Sequence, residues 1–158
     1  MPVPTPHLRV DLDRLRHNVR RAADHAASSR VSLRPHVKTH KMAEVVQLQL
    51  KAGITKFKCA TIAEAEMLGQ AGAKDVLLAN QPVGPNIDRA VAFCVAYPDV
   101  VFSATADHAD PIRELGAAMS AAGPDIGLLL DIDTGQHRTG VCVGDKAEGL
   151  YRLIAETD

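Results

Sequence analysis

Short apolar, β-branched runs alternate with helical segments along this chain, and that alternation limits what it can fold into. Five runs read as strands, at residues 31–38, 56–60, 75–80, 100–104 and 126–131. They begin about 19 to 26 residues apart, the length of a strand, a crossover helix and a parallel neighbour. Amphipathic helices are predicted at residues 11–27, 41–52, 62–71, 86–96, 109–122 and 146–156. In the first, Asp11 is an N-cap type, and Leu12, Leu15, Val19 and Ala22 share a face. Gly53, Gly72 and Gly123 stand where helices end, and Pro85 and Pro111 where they begin. The fold class is therefore α/β with a parallel sheet. An open doubly wound sheet closes its core within 158 residues, whereas a complete eight-stranded barrel takes about 250. Periodicity alone favours the open sheet.

Composition narrows the class. The chain is 46% hydrophobic with a net charge of −1, which argues against disorder and gives no global attraction to nucleic acid or an acidic membrane. Its longest apolar stretches are far too short to span a bilayer. The opening MPVPTPHLRVDLD lacks the charged-then-apolar pattern of a secretory signal. Cys59, Cys94 and Cys142 are widely spaced with no C-x-x-C pair, so reduced thiols in a cytoplasmic protein are expected.

Three segments carry candidate chemistry. In VSLRPHVKTHK, strand alternation places Ser32, Arg34, His36 and Lys38 on one face and Val31, Leu33, Pro35 and Val37 on the other. A polar face is unusual in a buried parallel strand and calls for a cavity, a ligand or a satisfied polar network. Lys38 falls at the carboxyl end, where α/β folds place their sites, and an amine there is positioned to form a Schiff base. The alternative is an exposed edge strand with Arg34 and Lys38 in solvent. The second segment, DIDTGQHRTG, follows the apolar run IGLLL at the same end. No G-x-x-x-x-G-K-[ST] or G-x-G-x-x-G occurs, which argues against the usual nucleotide-phosphate motifs. In the third, CATIAEAEMLGQAGAKDVLLANQP, Thr61 and Glu64 have capping-box spacing. Asn80 and Gln81 either point amides at a ligand or form the turn before Pro82. The seven histidines include no H-x-x-x-H pair on a helix, so no metal site is expected within the chain.

RPHVKTHK, CATIAEAE, LLANQPVG and DIDTGQHRTG, in this order, resemble the D-threonine aldolase and D-serine dehydratase family, fold-type III enzymes related to alanine racemase. The resemblance reverses the preference for an open sheet. It implies a (β/α)₈ barrel of alanine racemase N-terminal type, with about five βα units present in residues 1–158 and the C-terminal β-domain absent. It also implies pyridoxal phosphate held as a Schiff base by Lys38, with Arg138 approaching the cofactor's phenolic oxygen. A divalent metal (Mn, Mg or Zn) is implied too, on ligands outside this chain, as is a homodimer in the intact enzyme.

The activity so implied is a lyase acting on D-3-hydroxyamino acids, foremost retro-aldol cleavage of D-threonine to glycine and acetaldehyde. Dehydration of D-serine or 3-hydroxyaspartate is the near alternative, and racemisation a third outcome of the fold. A non-catalytic pyridoxal phosphate carrier and an inactive fragment are the alternatives of another class. Family members are more than twice this long, and this chain is expected to be part of a barrel.

Overall fold

The computed structural model describes Thr5 and residues 9–157. Asp11 caps α1 (Leu12–Ser28), its carboxylate accepting from the N–H groups of Asp13 and Arg14 at 3.1 Å. The buried stripe of α1 keeps Leu15 and Val19 of the expected face and is completed by other residues. Leu12 and Ala22 are exposed, and Leu15, Val19, Ala23 and Ala26 face inward, a rotation set by where the rest of the core lies.

The expected strand at residues 31–38 is the main correction. The chain there is irregular, pairs with the sheet through a single parallel bridge, His36 to Lys58, and turns into one 3₁₀ turn, Val37–Thr39. Pro35 has no N–H to give a ladder, and only its carbonyl is used, by Lys58 N–H at 2.9 Å. His36 then accepts the Lys38 N–H on its own ring nitrogen, which closes the turn and ends any extended run. Lys41 takes a positive φ of 52° and Met42 is extended, so α2 starts at Ala43 and not at 41.

Regular pairing begins afterwards: β1 (Lys56–Cys59), α3 (Ile62–Gln70), β2 (Asp75–Leu78), α4 (Pro85–Ala96), β3 (Val101–Ala106), α5 (Ala109–Ala122), β4 (Gly127–Leu130) and α6 (Asp145–Glu156). α2 covers Ala43–Lys51. The four strands form one parallel sheet in chain order, so the expected architecture holds with four strands and a bridged fifth segment. The expected glycines do end their helices, Gly123 adopting the left-handed conformation that lets its N–H return to the Met119 carbonyl at 2.8 Å.

Alternation sorts the strand side chains between two faces. Phe57, Cys59, Val76, Leu78, Phe102 and Ala104 are buried on the helix side. There the Phe93 ring of α4 sits 4.5 Å from Phe102 and 4.9 Å from Tyr97. A smaller cluster of Ala106, Ile112, Val141, Ala147 and Leu150 seats α6. The opposite face carries one register row of Lys58, Leu77, Ser103 and Gly127. At its amino end Arg34 holds Asp75 with two bonds, at 2.6 and 3.1 Å, and reaches the Phe57 carbonyl at 3.3 Å. The polar side chain of Arg34 is therefore satisfied by an ion pair on that face and is not left in solvent.

Thr61 and Glu64 form the expected capping box, shifted by one residue on the return leg. Thr61 Oγ1 accepts the Glu64 N–H at 3.2 Å, and Glu64 Oε2 accepts from Ala60 N–H at 2.7 Å. Glu64 is the buried charged residue of the core, 4% exposed. Burial pushes its carboxyl up, but the Lys41 ammonium and the Ala60 N–H outweigh that and hold it below the usual 4.5.

Two outcomes are expected from this packing. Phe57→Ala empties a fully buried ring site, and the midpoint of urea unfolding should report a loss of about 3–5 kcal/mol. Because the Glu64 carboxyl is depressed on folding, its contribution is present above pH 4.5 and is lost as pH falls through the folded value. Glu64→Gln should cost about 1.5 kcal/mol at neutral pH, and wild-type and variant melting temperatures should converge on acidification.

Candidate active site

All four strands run in parallel, so their carboxyl ends and the turns that follow them form one rim. The turn bearing Lys38 sits at one end of that rim, anchored by the fully buried Val37, whose carbonyl accepts from His40 N–H at 3.1 Å and Lys41 N–H at 2.8 Å. The backbone is thus tightly held, while the Lys38 side chain is exposed. The expectation that Lys38 closes a strand is corrected by the turn, which nonetheless delivers it to the carboxyl end of the sheet.

Around it stands a cluster that reading by motif passed over. Lys58 lies beside His36 in the bridge, and burial together with the charges of Lys38 and Lys58 holds the His36 imidazole below its usual 6.5. A neutral ring is what the Lys38 N–H requires as an acceptor, since a doubly protonated imidazole has none. Burial likewise lowers His40, whose Nδ1 accepts from Met42 N–H at 3.1 Å and whose buried Nε2 has no partner among the described residues. Glu64 Oε1 meets Lys41 Nζ at 2.7 Å. Behind them, burial and the Glu64 charge push the Cys59 thiol up to about 12, so it is a packing residue and no nucleophile. The alternation in KFKC was the available signal for Lys58, because it puts both lysines of β1 away from the helices.

At the far end of the rim, the loop after β4 is organised by Asp133. Its Oδ1 accepts from Gly135 N–H at 2.9 Å and His137 N–H at 3.0 Å, and Oδ2 lies 2.7 Å from His137 Nδ1. Those backbone donors hold the Asp133 carboxyl below its usual value. Gly140 closes the loop at φ 90°; a side chain there would meet Asp133 N at 2.8 Å and the Ile132 carbonyl carbon at 3.0 Å. Its N–H is taken by Asp107 at 2.8 Å. Arg138 is exposed on this loop with its guanidinium unpaired among the described residues.

Of the two alternatives for Asn80 and Gln81, the structural one holds for Gln81, which clamps the next turn. Its Oε1 accepts from Asp107 and His108 N–H at 3.1 Å each, and its Nε2 donates to the His108 carbonyl at 3.0 Å. Asn80 is exposed. Lys38 and Arg138 share the rim, one before β1 and the other after β4. Among the described residues no group of three His, Cys, Asp or Glu side chains could hold a metal ion, and no helix is long and apolar enough to cross a membrane. Cys59, Cys94 and Cys142 are all free thiols.

The donor set is compatible with pyridoxal phosphate: an aldehyde needs a reachable primary amine, which Lys38 offers, and a phosphate and phenolate call for cations, of which Lys58 and Arg138 stand on the same rim. The chain is also similar to known proteins. The chain is 33% identical to 3-hydroxy-D-aspartate aldolase of Paracoccus denitrificans over 155 residues, covering 97% of this chain and 40% of that protein. The crystal structure of D-threonine aldolase from Filomicrobium marinum superposes with a TM-score of 0.90 at 35% identity, covering 99% of this chain and 42% of the other. D-threo-3-hydroxyaspartate dehydratase from Delftia sp. HT23, of which one variant was solved in a metal-free form, gives 0.81 at 30% identity, covering 98% and 40%. The chain thus spans about 40% of the length of the relatives it matches. The family model for the alanine racemase N-terminal domain matches residues 10–158, and the chain belongs to that family.

Proposed function

We propose that this chain is the lysine-bearing part of a pyridoxal phosphate-dependent lyase acting on D-3-hydroxyamino acids. The observation that carries the proposal is Lys38, an exposed amine on a backbone turn held rigid at the carboxyl rim of an alanine racemase-type sheet. Pyridoxal phosphate, when bound, supplies a sink for the electron pair released as a bond to the substrate's α-carbon breaks. Lys38 would hold the cofactor through its amine. The charges of Lys38 and Lys58 both bear on the His36 ring, so a neutral His36 and a second cation stand near this turn. Arg138, permanently charged and planar, would supply a cation toward the anionic groups of the cofactor from the loop after β4.

The substrate proposed first is D-threonine. Loss of the β-hydroxyl proton and cleavage of the Cα–Cβ bond leave acetaldehyde, and protonation of the α-carbon leaves glycine. Dehydration of a 3-hydroxyaspartate is the second reading, supported by the similarity to the Delftia enzyme. The divalent metal, the remaining barrel strands, the C-terminal β-domain and a homodimer contact belong, in this proposal, to parts of the intact protein outside residues 1–158. Three free cysteines favour a cytoplasmic location.

Two experiments on the intact protein test the assignment. Borohydride reduction in the presence of pyridoxal phosphate, followed by peptide mapping, should fix the cofactor on Lys38; label on Lys41 with none on Lys38 would sink the assignment. Arg138→Ala should lower kcat by roughly 10²-fold or more, as expected when one positioned electrostatic contact is lost. Steady-state kinetics with D-threonine measures it, and an unchanged kcat with an unchanged cofactor spectrum would make Arg138 a loop residue only.

A further inference from the structure

Lys38 has an exposed side chain and a fixed backbone, so the place of its amine is decided by whatever fixes the turn. The turn is tied down on both flanks to the same corner of the sheet. Before it, His36 bridges Lys58 of β1. After it, Lys41 reaches Glu64 at 2.7 Å, and the second oxygen of that carboxylate takes the N–H of Ala60, directly beyond β1. One buried carboxylate therefore joins the end of β1, the start of α3 and the exit of the lysine turn.

Lys41 itself is in a conformation a lysine seldom adopts. Its φ of 52° lies in the left-handed region, which persists in a non-glycine residue only where the surroundings hold it. Two contacts do so: the N–H to the Val37 carbonyl, and the ammonium to Glu64. A capping box functions with either glutamate or glutamine, because it needs only an acceptor. The contact with Lys41 needs the charge. The negative charge of Glu64 also bears on His36, His40 and Cys59, the side chains that surround the turn.

We propose that Glu64 is a positioning residue for Lys38, acting through its ion pair with Lys41 to hold the turn that presents the lysine amine. The proposal rests on the assignment of Lys38 as the cofactor lysine. Its test is the rate at which pyridoxal phosphate becomes fixed at Lys38 in the intact protein, followed by timed borohydride trapping and peptide mapping, with melting temperatures measured alongside. Glu64→Gln keeps the acceptor for Ala60 and removes the charge. Lys41→Met removes the same pair from its exposed side and leaves the cap untouched. Each is expected to slow fixation roughly five-fold or more, with the double variant no slower than either single one, as for two residues acting through one contact. Lys41→Arg should retain most of the wild-type rate. Thr61→Ala, which weakens the cap but spares the pair, should lower the melting temperature and leave the rate unchanged. Fixation at the wild-type rate in Glu64→Gln, or equal slowing in Thr61→Ala, overturns the positioning role while leaving Lys38 as the cofactor lysine. Absence of fixation at Lys38 in the wild type overturns that assignment and this proposal with it.

Discussion

Parallel pairing is the constraint on which everything else here depends. A parallel strand cannot reach its neighbour through a tight turn, so each return is made by a helix, and each helix must bury an apolar stripe on the sheet. In this chain that requirement places Phe57, Val76 and Phe102 on the helix side and leaves Lys58, Leu77 and Ser103 on the other. It also sends every carboxyl end in one direction. The rim that gathers Lys38, Asp107 and Arg138 is a product of connectivity before it is a product of chemistry.

The architecture was legible because its signals are local and repeated. Apolar runs at the spacing of a crossover unit, glycines at helix ends and Asp11 at a helix start each act within a few residues, and the structure uses them as expected. The errors came where a local backbone competitor or a distant packing surface overrode the pattern. Val31 to Lys38 has the alternation of a strand, yet Pro35 denies the ladder a donor and the His36 ring takes the next N–H for a turn. The inward stripe of α1 differs from the expected one because helix rotation is chosen by the surface it meets, which periodicity does not describe.

The site divides in the same way. Lys38 and Arg138 are the residues the motifs single out, and their common end of the sheet follows from strand direction. Glu64 was read as a cap, which it is, but its ion pair with Lys41 spans 23 residues and requires a left-handed backbone that no pattern announces. Gln81 allowed two readings, a ligand-facing amide or a turn before Pro82, and local pattern did not choose between them. Its side chain has a donor and an acceptor matched to the next turn, and that complementarity is visible only once the two turns are adjacent.

The bonds at Gln81, Asp107 and Gly140 form a relay. The amide after β2 grips the turn after β3, and the carboxylate of that turn grips the loop after β4. Each crossover loop thereby loses freedom partly on behalf of the next, and the entropy of ordering the Arg138 loop is shared among three segments. Such a rim tolerates exchanges at its exposed positions, but it resists insertions anywhere between the clamps, because one added residue would put a neighbouring loop out of reach of its anchor.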